Sequence, residues 1–198
     1  MEQSEVDKII EEGFAADPSG GSIWKIQRHL ALNILNAQYR QFLSAEGWEI
    51  FILTLETEMA VKAFSRVADN ASTLGMKQET VNALLGLYDK ARRLCDFLID
   101  DKQNGRAPIS FWNYWDKEAL TQRRRTFCSV RDRIANDFKV KKSFVFRSND
   151  FPVIIDLIYW VRVFLLGEER CQFFMGEMSD AINIAKTHSR HGSAFRDM

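Results

Sequence analysis

The residues able to do chemistry in this chain concentrate between Arg123 and Lys142. Eight basic residues there face two acidic ones, a local charge of +6 on a chain whose formal net charge is zero. Phe127, Val130, Ile134 and Phe138 recur at helical spacing and form an apolar stripe. Arg131 lies on that stripe, four residues after Phe127 and three before Ile134. An arginine so placed buries its stem and must find anions or water for its guanidinium fork. Two readings follow. In one, Arg131 binds an external anion, and Arg123, Arg124 and Arg125 extend the same positive band. In the other, Arg131 pairs with an inward acid such as Glu56, Glu58 or Asp69, and Arg123–Arg125 form a solvated face.

Other chemistries have little to stand on. The three histidines, His29, His188 and His191, form no cluster. There is no HExxH pair, no zinc spacing of Cys and His, no glycine-rich phosphate loop and no nucleophile elbow. Glu46, Glu49, Glu56 and Glu58 match a di-metal carboxylate helix only loosely, since the Glu-x-x-His partner of such sites is missing. No metal and no cofactor is therefore expected. The cysteines, Cys95, Cys128 and Cys171, are odd in number and far apart, which favours packing over disulfides and a reduced setting. Met1–Glu12 is acidic and lacks an apolar core, unlike a secretory leader. A cytoplasmic location is the expectation.

These residues need helices to position them. Few prolines, few glycines and long amphipathic runs predict an all-α protein, an up-and-down bundle of five to six helices. Residues 1–21 read as a flexible acidic arm ending at Asp17-Pro18-Ser19-Gly20-Gly21. Residues 22–186 read as the helical domain, and 187–198 as a disordered tail. Helices are expected over about Ser22–Leu43, Ser44–Asn70, Lys77–Asp100, Asp116–Phe138, Phe151–Leu166 and Glu168–Lys186, with Lys139–Asn149 as a loop. Phe151–Leu166 is apolar nearly all round but shorter than the roughly 20 residues of a membrane span. It is either core or the seam of a dimer. The Trp112/Tyr114/Trp115 cluster reads as packing, with stacking of RNA bases on aromatics beside arginines as the alternative.

Val130-Arg131-Asp132-Arg133-Ile134-Ala135-Asn136-Asp137-Phe138 resembles the signature of the HEPN superfamily, in which an arginine precedes a histidine by four to six residues on a helix. Met59–Asp69, followed by Leu74 and a new helix, is similar to the early long helix of the abortive-infection branch of that superfamily. The helix starting near Asp150 also fits. The resemblance spans about residues 45–170. It implies a metal-independent ribonuclease fold that works as a symmetric homodimer in prokaryotic defence, with a cognate antitoxin protein as a partner. Carried onto this sequence, Arg131 contacts an RNA phosphate, Asp132 orients Arg131 or Asn136, and Arg123, Arg124, Arg125, Arg133 and Lys139 bind RNA.

One departure changes the expected chemistry. Asn136 stands where the family carries its histidine. Asparagine donates and accepts hydrogen bonds but takes up no proton near neutral pH. Losing a general acid–base typically costs about 10²–10⁴ in rate. The expectation is a protein that binds RNA and is impaired in cleaving it. The competing expectation is a helical protein-interaction or scaffold module with no nucleic-acid role.

Overall fold

The structure, a computed structural model, describes residues 33, 38–68, 78–100, 111, 114–141 and 148–180. Among these residues the regular structure is all helical, with no strand. The long elements are α1 (Ala45–Ala68), α2 (Gln78–Ile99), α3 (Lys117–Lys141) and α4 (Phe151–Leu166), followed by a helical run over 168–180, α5. Short 3-10 turns cover Arg40–Phe42 and Ser148–Asp150. The expected arm, the tail and most of the first expected helix lie outside the described residues.

The helix ends follow from local chemistry. Ser44 caps α1, its Oγ accepting from the Gly47 backbone N–H at 3.0 Å. Asp116 caps α3 in the same way, its Oδ1 accepting from the Ala119 N–H at 2.6 Å. α4 opens with Pro152 in its first turn, where a missing N–H costs nothing. It stops at Gly167, whose φ of +82° belongs to the left-handed region that glycine enters without strain. α3 runs three residues beyond the expected end, taking in Lys139–Lys141. Basic residues in a last turn suit the negative end of the helix dipole, and Lys141 also reaches Asp137 at 3.2 Å.

The chain divides into two compact units, one of Met1–Trp48 with Leu166–Met198 and one of Glu49–Leu165. The second unit holds the main core. Val81, Leu84, Tyr88, Ala91, Cys95 and Leu98 on α2 lie at spacings of three and four, and all are buried. Leu120, Phe127 and Ile134 of α3 join them, with Val130 and Phe138 partly buried at the margin. α4 contributes Phe151, Ile154, Leu157, Ile158, Val161 and Phe164. The apolar character of α4 is thus largely accounted for by packing within its own unit. Each such side chain adds about 1.5–3 kcal/mol on burial. α2 and α3 make the most extensive pairing of described elements.

In the first unit, Tyr39 packs edge-on against Phe174 at 5.4 Å between centroids, and its hydroxyl donates to Glu177 at 3.2 Å. Cys171 is fully buried beside them in sequence, one turn before Phe174. Cys95 and Cys171 are buried free thiols, and Cys128 is half-buried.

Candidate functional site

α3 carries every candidate residue, and the structure sorts them by the side of the helix they occupy. Two of the arginines turn toward α2. Arg124 Nε donates to Asp96, whose other oxygen accepts from Arg92 Nη1 at 2.6 Å. Arg131 Nη1 donates to Asp89 Oδ1 at 2.8 Å, and its Nε stands 3.4 Å from its neighbour Asp132. The two arginines are seven residues apart, as are the two acids, and they pair in reverse order. The result is an ionic ladder between antiparallel helices, one rung every two turns. Arg131 is therefore paired, but with neither Glu56, Glu58 nor Asp69. Glu56 binds Lys90 at 3.1 Å, Glu58 binds other cations, and Asp69 lies outside the described residues. Nor is Arg131 sealed in. Its side chain is 40% exposed and that of Asp89 is 45% exposed.

The remaining candidates point outward. Arg123, Arg125, Asp132, Arg133, Asn136 and Lys139 are exposed. Among the described residues Arg123, Arg125, Arg133 and Lys139 form no salt bridge, and Asn136 makes no hydrogen bond. Arg125, Ser129, Arg133 and Asn136 follow at spacings of four, four and three, so they form one outward row. Lys139 extends it, and from Arg125 to Lys139 the row is about 21 Å long. Arg131 is not in that row. Five residues of α-helix turn the chain by roughly 140°, so Arg131 and Asn136 occupy different sides of α3. Within one protomer the structure does not bring these two together. Arg123 stands apart as well. It lines an open cleft of about 760 Å³ with Tyr114, Trp115, Gln122, Pro152 and Asp156.

The most deeply buried charge among the described residues lies outside the resemblance's signature. Arg162, in the middle of α4, is 1% exposed. Its Nη2 donates to Glu58 at 2.7 Å and its Nε to Thr54 Oγ1 at 3.0 Å. The guanidinium also lies 5.8 Å from the Phe51 ring centroid. Lys62 reaches the other oxygen of Glu58 at 2.5 Å. Burial pushes the Glu58 carboxyl up, but Arg162 and Lys62 outweigh it and hold the group below the usual carboxylate range. The signal was present in the sequence, since a single arginine in a run of apolar residues must find an acid. Glu56, Glu58 and Arg131 do not converge, so the carboxylate pair has no shared centre with that arginine.

Two further groups bear on reactivity. Tyr88 donates its hydroxyl to Asp150 at 3.2 Å, tying α2 to the start of α4, and burial next to that carboxylate pushes the phenol well above its ordinary value. Burial likewise pushes the Cys95 thiol up to about 12, with Asp96 adding to the effect. Cys95 is thus an inert core residue. Among the described residues no group of three or more His, Cys, Asp and Glu side chains could hold a metal ion, and no helix is long and apolar enough to cross a membrane. Comparisons with protein-family models, with curated proteins and with solved structures found no match to this chain.

Proposed function

We propose that the outward row of α3 binds the phosphate backbone of RNA, in a HEPN-like defence or toxin–antitoxin protein whose catalysis is impaired by Asn136. The observation that carries this reading is the set of exposed cations Arg125, Arg133 and Lys139 along one side of one helix, each without a salt bridge among the described residues, with Asn136 in the same row. Cations already neutralised by carboxylates gain little from a phosphate, whereas free ones release its counterions. Arg131 then acts at one remove. Its ladder with Asp89 leaves the fork half-exposed and sets the register of α3 on α2. Asn136 supplies hydrogen bonds to the nucleic acid but no proton transfer. The reading calls for a homodimer in which Asn136 of one protomer faces Arg131 of its partner, since the two residues diverge on a single helix.

RNA affinity measured across a salt series tests this. Each phosphate contact to a single strand contributes about 0.7 to the slope of log affinity against log salt. Replacing Arg125, Arg133 and Lys139 together by Gln should lower that slope by about two. Asn136→His should restore cleavage or arrest growth. A well-folded Asn136→His protein that cleaves no RNA and harms no cells removes the catalytic ancestry from the proposal.

A second reading rests on the α2–α3 ladder. Asp89 and Asp96 neutralise Arg131 and Arg124, which reduces the positive band to about two-thirds of its formal charge. On that reading the bundle is an interaction module. Absence of RNA binding at low salt is its distinguishing result.

A further inference from the structure

The cleft beside Arg123 combines three features. The first is an exposed ring. Tyr114 is 67% exposed and stands at the rim, 5.8 Å from the Trp115 ring in an edge-on arrangement. The second is a fixed floor. Trp115 is buried, and its indole N–H donates to Asp156 Oδ2 at 2.7 Å, which ties that segment to α4. The third is a free cation with a free amide beside it. Arg123 and Gln122 are both exposed, and neither makes a side-chain hydrogen bond among the described residues. Tyr114 therefore leaves most of its ring open to a ligand.

The volume, about 760 Å³, lies in the range of pockets that take a small organic ligand. The lining offers a flat π surface, a guanidinium and amide hydrogen bonds, with no cluster of acids. A nucleotide carries the complementary set: a base to stack, a phosphate for the guanidinium and polar base edges for an amide or a carboxylate. We infer that this cleft receives one unpaired nucleotide of single-stranded RNA, its base stacked on Tyr114 and its phosphate on Arg123. The site lies apart from the outward row of Arg125, Arg133 and Lys139, and it rests on the reading that this protein binds RNA. It adds selectivity. A base inside a duplex is already stacked and cannot enter, so the cleft discriminates single strands from double strands.

The test uses the full chain, a single-stranded hexanucleotide and a duplex RNA of matched length, with binding followed by fluorescence anisotropy. Tyr114→Ala should weaken the single strand roughly ten- to a hundredfold, the usual effect of removing one aromatic stacking partner. It should leave the duplex unchanged. Tyr114→Phe should bind like the native protein, since the ring and not the hydroxyl is used. Arg123→Gln should lower the salt slope for the single strand by about one unit or slightly less. Tyr114 is exposed, so its truncation should leave the melting temperature within a few degrees, which thermal unfolding verifies. If the native protein binds RNA and Tyr114→Ala binds both RNAs equally well, the cleft assignment is overturned and the α3 row stands. If the native protein binds neither RNA at low salt, both are overturned.

Discussion

Arg162 and Arg131 face carboxylates at nearly the same distance, 2.7 and 2.8 Å, yet they sit in opposite environments. Arg162 lies in the core between α1 and α4, with Thr54 accepting from its Nε and the Phe51 ring beside its guanidinium. Arg131 lies at the margin of the α2–α3 pair, with both partners almost half in water. Distance alone would rank them equal. Solvent decides otherwise. A buried charge that loses its partner bears the full cost of desolvation, whereas a surface charge falls back on water. The first pair is therefore a condition of the fold. The second is an adjustable contact between two side chains that stay almost half in water.

The largest expected effect tests the buried side. Arg162→Ala should cost about 3–5 kcal/mol of unfolding free energy, measured by urea denaturation, because Glu58 stays charged and Thr54 loses its donor. The double replacement Arg162→Met with Glu58→Leu should recover most of that loss, since a buried ion pair exchanged for apolar side chains is often close to neutral. A double variant no better than Arg162→Ala would mean that the contacts of Arg162 with Thr54 and Phe51, and not a stranded charge on Glu58, set the cost.

The pH dependence sharpens the same contrast. A carboxyl held low in the folded state stabilises the protein fully above its unfolded value, here 4.5. That contribution fades as pH falls through the folded value. Native stability should therefore fall on acidification below about pH 4.5, and Glu58→Gln should flatten that acid limb. An unchanged limb in the variant would assign the acid sensitivity to other groups.

A smaller effect belongs to the tie between the two regions. Tyr88→Phe removes the hydroxyl that donates to Asp150 and should cost about 1 kcal/mol by thermal unfolding. The smallest belongs to the ladder. A double-mutant cycle of Arg131→Gln with Asp89→Asn should give a coupling below about 1 kcal/mol that shrinks further in high salt. A large coupling insensitive to salt would abolish the distinction and make Arg131 a second structural arginine.

Much of the helical layout could be read directly. Phe151–Leu166 is helical over the expected residues, and α1 and α2 fall within two residues of expectation at each end. Ser44, Asp116, Pro152 and Gly167 mark those ends through hydrogen bonds and backbone angles that involve neighbours in sequence. Phe127 and Ile134 proved buried for the same reason, since their spacing alone places them on one side of a helix. The candidate site was less legible. Arg124 and Arg125 are adjacent in sequence and read as one basic run, but a turn of about 100° sends one to Asp96 and the other to solvent. The spacing singles out Arg131, but the acid that meets it is Asp89 and not Glu56 or Glu58.

What the amino-acid sequence determined by itself is the all-α character, the positions of the helices and the composition of the apolar core. These depend on interactions within three or four residues and on the period of hydrophobicity. Only the tertiary structure decided which charges would be spent inside the protein and which left over. Arg131 meets an acid 42 residues away and Arg162 one 104 residues away. Such pairings follow from how helices pack, because a guanidinium on an apolar side accepts whichever carboxylate that packing delivers, and spacing along the chain carries no record of the choice.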